Sequence, residues 1–271
     1  MKIRVLVDNN TLNDIYYYGE PAVCYYIIDG RNKLLFDVGY SDAFKRNAAK
    51  MNININDIDT IVISHGHEDH SNGLKHYLDD ARYKKINLVS HPLAFEKKKL
   101  NNEMICSPYS YLLLSDYFKM ISSKKPINVT DNLIFLGEIP GTVDFEQRKP
   151  MGNIKINGNY EPDYLYDDSA LVYKGQDGIF IITGCSHSGI CNIIEYAKKV
   201  TKCDNVVGVL GGFHLSNDNE RIMKTIDYFK KNKIRKIYPC HCTTLNAKAK
   251  FVNELGDYVK EVGVGMSINI K

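Results

Sequence analysis

Thr60-Ile61-Val62-Ile63-Ser64-His65-Gly66-His67-Glu68-Asp69-His70 is the stretch on which the reading of this sequence turns. Its first five residues are uncharged and mostly β-branched, the composition of a strand buried on both faces. The strand delivers the chain directly into three imidazoles and the Asp69 carboxylate, each a strong ligand for a borderline divalent ion such as Zn²⁺. In an extended loop His65 and His67 project to the same side and can share one ion, while Asp69 and His70 reach a second at the turn into a helix. Isolated histidines are most often ordinary core or surface residues, but clusters this dense mark metal or catalytic sites.

Working outward, Ile3 to Val7, Ala22 to Ile28 and Lys33 to Gly39 read as strands, with Asp29-Gly30 as a hairpin turn. Ser41 to Met51 reads as a helix capped by Ser41. Past His70 the pattern predicts a helix near Ser71 to Tyr77 and a strand from Lys85 to Ser90 that ends at His91-Pro92. From about Leu93 to Tyr166 it becomes irregular, with a Lys-rich helix, an apolar Tyr111-Leu112-Leu113-Leu114 stretch and a Gly/Asn/Pro-rich run from Pro140 to Pro162. We expect one domain over residues 1–271 with a cap-like insertion at about 93–166. Alternation resumes with strands at Ser169 to Tyr173, Gly178 to Thr183, Asn205 to Leu210 and Lys236 to Pro239, and helices from about Gly189 to Val200 and Asp218 to Asn232. Three of these strands run into histidine-bearing segments: Gly184-Cys185-Ser186-His187-Ser188-Gly189, Gly211-Gly212-Phe213-His214 and Pro239-Cys240-His241-Cys242.

The 35 basic and 32 acidic residues leave a net charge of only +3, no field that argues for nucleic acid as a partner. The Lys97-Lys98-Lys99 run reads as a solvated face, with an anion-steering patch as the alternative. Met1 to Asp8 is too short an apolar run for a secretory leader, and no stretch is long enough to span a bilayer, so a cytoplasmic protein with no membrane partner is expected. Seven cysteines, an odd number in a chain of this size, favour thiols or metal ligands over a disulfide framework.

His65-Gly66-His67-Glu68-Asp69-His70 resembles the HxHxDH signature of the metallo-β-lactamase superfamily, down to the strand before it. The resemblance implies an α/β fold, the four-layer αββα sandwich of that superfamily, with the site at one edge. Leu34-Leu35-Phe36-Asp37-Val38-Gly39 is similar to the superfamily strand whose Asp supports a metal-binding histidine from behind, fixing its tautomer; a plain turn carboxylate is the alternative for Asp37. The later histidine segments resemble the subgroup named for 7,8-dihydropterin-6-methyl-4-(β-D-ribofuranosyl)aminobenzene-5′-phosphate synthase, over most of Asn10 to Thr243.

Position by position, the resemblance implies one metal on His65, His67 and His187 and another on Asp69, His70 and His241. Cys185 stands where most relatives carry a bridging Asp; it is either a thiolate ligand that favours zinc or a buried, inert thiol. His214 follows two glycines and is a candidate proton donor or substrate ligand, or a turn filler. Cys240 and Cys242 flank His241 and are expected to point away from the ion. Gly19-Glu20-Pro21-Ala22 departs from the subgroup's Glu-His-Gly, which puts one substrate contact in doubt, and His91 is a secondary candidate beside a structural turn. Two divalent ions, zinc with manganese or iron as alternatives, would activate water, with Asp69 and His214 as catalytic residues. The expected reaction is hydrolysis of a small ester, lactone or phosphoester. The alternatives are a pterin/aminobenzene ribose phosphate synthase, with Tyr109, Tyr111, Tyr160, Tyr164 and Tyr166 as stacking or merely packing rings, and a redox or non-catalytic metal protein.

Overall fold

The computed structural model describes residues 1–80 and 85–271. Two sheets lie face to face. The first has seven strands: β1 (Lys2–Val7), β2 (Cys24–Asp29), β3 (Asn32–Phe36), β4 (Thr60–Val62), β5 (Asn87–Ser90), β8 (Lys119–Ser122) and β17 (Ser267–Asn269), in the order β17-β1-β2-β3-β4-β5-β8. The second has six: β9 (Ile127–Asn128), β10 (Leu133–Phe135), β13 (Ala170–Gly175), β14 (Gly178–Thr183), β15 (Val206–Gly211) and β16 (Lys236–Pro239), in the order β16-β15-β14-β13-β10-β9.

Period-two alternation builds the layers. Along β2 and β3, Tyr25, Ile27, Leu34 and Phe36 point into a core shared with Leu133, Phe135, Leu171, Phe180, Ile182 and Leu210 of the other sheet. The intervening Tyr26 and Leu35 face outward, where Ala43, Phe44 and Ala48 of α1 (Ala43–Lys50) and Leu74 and Tyr77 of α3 (Leu74–Asp80) cover them. On the far side Val172, Ile179, Ile181 and Val209 pack under α5 (Ile190–Thr201), α6 (Asn219–Lys231) and α7 (Leu245–Leu255). Helices, sheet, sheet, helices: the expected αββα sandwich is the observed one. No helix among the described residues is long and apolar enough to cross a membrane.

Several expectations need correction. Asp42, not Ser41, stands at the α1 N-cap; the Ser41 hydroxyl instead accepts the Ala43 N–H and donates to Glu20. The turn after His67 forms a short α2 (Glu68–Ser71) before α3. No Lys-rich helix forms after Leu93: that segment contains β6 (Lys98–Leu100), which joins β7 (Glu103–Met104), β11 (Asn153–Ile156) and β12 (Asn159–Pro162) in a small antiparallel sheet ordered β12-β11-β6-β7. The apolar Tyr111–Ser115 stretch is helix α4. Between these excursions the chain returns to the sandwich, since β8 extends the first sheet and β9 and β10 the second. The sequence reading missed α7 and β17, which closes the edge of β1 through Ile3↔Ile268.

The Lys97-Lys98-Lys99 run is not a solvated face either. Lys97 is exposed, but Lys98 is 0% exposed, and its Nζ lies 2.8 Å from both Asp163 Oδ2 and Asp167 Oδ1. A buried ammonium survives only with such partners.

Candidate metal centre

In both sheets the parallel strands end at the same edge, and the chain leaves them in loops, the usual place for a site in α/β folds. β4 leads to His65, β14 to Cys185 and His187, β15 to His214, and β16 to His241. The loops are sharply bent: Asp37, Ser186, His214 and His241 all have positive φ, between 45° and 57°, strain that clusters at functional sites.

The donors converge. His65 Nε2 lies 3.0 Å from His67 Nδ1, and donor atoms of His65, Cys185 and His187 fall within 4.8 Å of one another. A second group, Asp69, His70, Cys185 and His241, is equally compact: Asp69 Oδ2 is 3.2 Å from His241 Nε2 and 3.5 Å from His70 Nε2, which in turn is 3.2 Å from Cys185 Sγ. Cys185 belongs to both groups. Buried polar atoms normally have partners, yet His67 Nε2, His187 Nε2 and His214 Nδ1 have none. Facing imidazole nitrogens, a shared sulfur and a carboxylate form a donor set suited to zinc-type ions.

Carboxylates and amides fix the rings from behind. Asp37 takes the Ser64 N–H on Oδ1 (2.7 Å) and lies 2.7 Å from His70 Nδ1 through Oδ2, which directs His70 Nε2 toward Cys185. Asn9 Oδ1 sits 2.9 Å from His241 Nδ1, and Asp8 accepts the His241 N–H. Asp167 Oδ2 accepts the Gly66 N–H at 2.8 Å, and its neighbour Asp168 accepts both the N–H and the hydroxyl of Ser188. One short segment thus grips the first histidine loop with one carboxylate and the second, which carries His187, with the next. Sequence reading missed Asp8, Asn9, Lys98, Asp163, Asp167 and Asp168, because no local spacing announces a carboxylate whose partner lies far along the chain.

Burial pushes His65, His187 and His67 well down, His67 to about 4, so these rings stay neutral and keep a lone pair for an ion. For His70, burial opposes the charge but Asp69 and Asp37 outweigh it, and its pKa is raised. Burial would likewise raise Asp69, yet His70 and His241 hold it well below the usual carboxylate range. His214 is raised, chiefly through its hydrogen bond with Cys242.

Cys242 corrects an expectation. Its sulfur turns inward, close to the donor atoms of Cys185 and His214, whereas Cys240 turns away and meets the Tyr25 hydroxyl at 3.1 Å. Glu20 is a structural clamp, accepting the Tyr40 and Ser41 N–H groups, while its neighbour Pro21 joins Tyr40, Ile105 and Met151 in walling a cavity of about 490 Å³ over the donors. His91 does not line this cavity; it is fully buried, and its Nδ1 accepts the Leu93 N–H. Tyr109, Tyr111, Tyr160, Tyr164 and Tyr166 do not line it either, and Tyr160 lies under Lys99.

Gly66 is dictated by close approach. A Cβ there would sit 1.9 Å from the Ala94 carbonyl oxygen, so Gly66→Ala must displace the loop that carries His65 and His67. Misplacing reacting groups by about 1 Å costs on the order of 10² in rate. We expect a loss of that size in kcat/KM with lowered metal content and an unchanged far-UV circular dichroism spectrum.

The sequence profile of the metallo-beta-lactamase superfamily matches residues 17–149. The chain belongs to the metallo-β-lactamase superfamily of enzymes. It is 31% identical over 249 residues to the 7,8-dihydropterin-6-methyl-4-(beta-D-ribofuranosyl)-aminobenzene-5′-phosphate synthase of Methanocaldococcus jannaschii, covering 88% of this chain and 84% of that protein. An uncharacterized protein of the same organism is 32% identical over 95% of this chain and 96% of its own length. Among solved structures, Tm1679, a metal-dependent hydrolase of the beta-lactamase superfamily, superposes with a TM-score of 0.85 at 26% identity, over 99% of this chain and 98% of that one.

Proposed function

We propose that the chain is a metal-dependent hydrolase of a small ester, lactone or phosphoester, acting as one domain with the β6-β7-β11-β12 sheet as its cap. The observation that carries this reading is the pair of compact donor groups sharing Cys185, with buried imidazole nitrogens left unpartnered around them. His65, His67 and His187 would hold one divalent ion and Asp69, His70 and His241 a second, with Cys185 common to both and zinc favoured by the sulfur. Ions bound there supply Lewis acidity and lower the pKa of water.

The remaining work falls to the chain's own groups. Asp37, Asn9 and Asp8 hold His70 and His241 in one orientation, and Asp167 and Asp168 hold the loops. Asp69, ionised, compensates positive charge between His70 and His241. His214 lines the cavity within reach of a bound substrate and supplies the proton that the leaving group needs. Pro21, Tyr40, Ile105 and Met151 exclude bulk water on the open side.

The test is chelation. Aryl esters and aryl phosphates should be hydrolysed by the metal-loaded chain, lose turnover on dialysis against a strong chelator and regain it with Zn²⁺ or Mn²⁺, while mass spectrometry counts the ions. Turnover indifferent to chelation rules the reading out. A second reading, a synthase, is favoured by the name of the 31% identical relative. Condensation of a pterin with an aminobenzene ribose phosphate, without ester hydrolysis, would select it.

A further inference from the structure

The cavity over the donors has a side lobe that they do not use. About 330 Å³ in volume, it opens beside His187 and His214 and runs between the 144–151 segment and the first turn of α6. It borders the main cavity, the two having Met151, His187 and His214 in common as lining. Two cations line it, Lys149 and Arg221, with Gln147 as a further polar side chain. Of the carboxylates at its rim, Asp144 and Asp218, both are exposed, and Asp218 already accepts the Arg221 backbone N–H as the α6 cap.

Arg221 is the informative residue. It is half-buried, and its Nε is shielded from solvent without any hydrogen-bond partner. A guanidinium in that position is costly unless something answers it. The buried Glu146 is near enough to feel its charge, but no hydrogen bond or ion pair joins them: Glu146 Oε2 takes the Asn192 N–H, and its Oε1 has no hydrogen-bond partner.

We infer that this lobe is an oxyanion subsite, where Arg221 and Lys149 bind a terminal phosphate or carboxylate of the substrate. Guanidinium donors match both groups in a two-pronged arrangement, and a lysine adds a second positive charge. The substrate then has two parts: an anionic tail in the side lobe, and a less polar body against Tyr40, Ile105 and Met151, with the reacting bond between them. Only the nature of that bond rests on the hydrolytic reading; the anion does not.

Calorimetric titration of the full chain with phenylphosphonate, which has no ester bond to hydrolyse, and with benzoate tests the subsite, with metals loaded and again after chelation. At least one probe should bind in both states. Arg221→Gln should weaken it by about ten- to a hundredfold, the loss of charge-assisted hydrogen bonds; Lys149→Gln should weaken it less, and Arg221→Lys should recover part. Which probe binds tells phosphate from carboxylate. Unchanged affinity in Arg221→Gln overturns the inference, as does earlier thermal unfolding with anion affinity intact, which would make Arg221 only a counter-charge for Glu146. Arg221-dependent binding without metal uptake or hydrolysis would refute the hydrolytic reading and leave the subsite standing. Hydrolysis without Arg221-dependent binding would do the reverse.

Discussion

Asp69→Ala should lower kcat/KM by at least about 10³-fold and release one ion of the proposed pair, because Asp69 is the carboxylate of the group formed with His70, Cys185 and His241. Its Oδ2 faces both imidazoles, at 3.5 Å and 3.2 Å. Its interactions with the two rings keep it ionised although burial opposes this, so the wild-type site carries a fixed negative charge that alanine removes outright. Ion-assisted charge stabilisation is worth several kcal/mol, and about 4 kcal/mol corresponds to three powers of ten in rate. Asp69→Asn keeps the shape without the charge and should fall nearly as far. Elemental analysis beside single-turnover kinetics checks both points. Full metal content with activity within tenfold of wild type would mean that Asp69 is not needed to hold the second ion, and would overturn the prediction.

The second large effect lies outside the donor set. Lys98→Ala should destabilise the fold by about 3–5 kcal/mol, since it leaves two buried carboxylates without their cation. For a chain of this size that is a fall in Tm on the order of 10 °C. Asp163 is already pushed up by burial even with Lys98 present, whereas Lys98 holds Asp167 below its ordinary value. Because the other oxygen of Asp167 accepts the Gly66 N–H, the variant should also bind zinc about 10- to 100-fold more weakly, the usual cost of losing support behind a ligand. Lys97→Ala, at the exposed first position of the same run, is the control and should leave both quantities unchanged. Scanning calorimetry and competition with a zinc indicator read the two effects separately.

The contrast within that run shows what was legible. His65 to His70 could be read because the donors are contiguous and the strand before them announces itself; the strands showed as short apolar runs, and the αββα layering was implied by the resemblance that the HxHxDH motif carries. Lys98 could not be read, because what decides its burial is Asp163 and Asp167, 65 and 69 residues further on. Cys242 was misread for a different reason. The expectation that it would point away from the ion assumed an extended backbone around His241, but β16 ends at Pro239, His241 has φ +48°, and the Thr243 N–H closes a turn onto the Cys240 carbonyl. Side-chain alternation ends where the strand does. The small β6-β7-β11-β12 sheet escaped because its strands are short, polar and paired across some 50 residues.

His241 has one further consequence. Its ring is held by Asn9 and its backbone by Asp8, partners 232 and 233 positions earlier, while the HxHxDH loop is built from residues between them. No contiguous fragment short of nearly the whole chain can therefore assemble the centre, and occupancy reports that the two distant segments have met. Whatever binds there stabilises only the closed chain, by an amount that grows with the logarithm of its concentration over its dissociation constant. In folding terms the centre acts as a checksum on most of the chain, completed only when the loops that follow β1 and β16, in opposite sheets, have met.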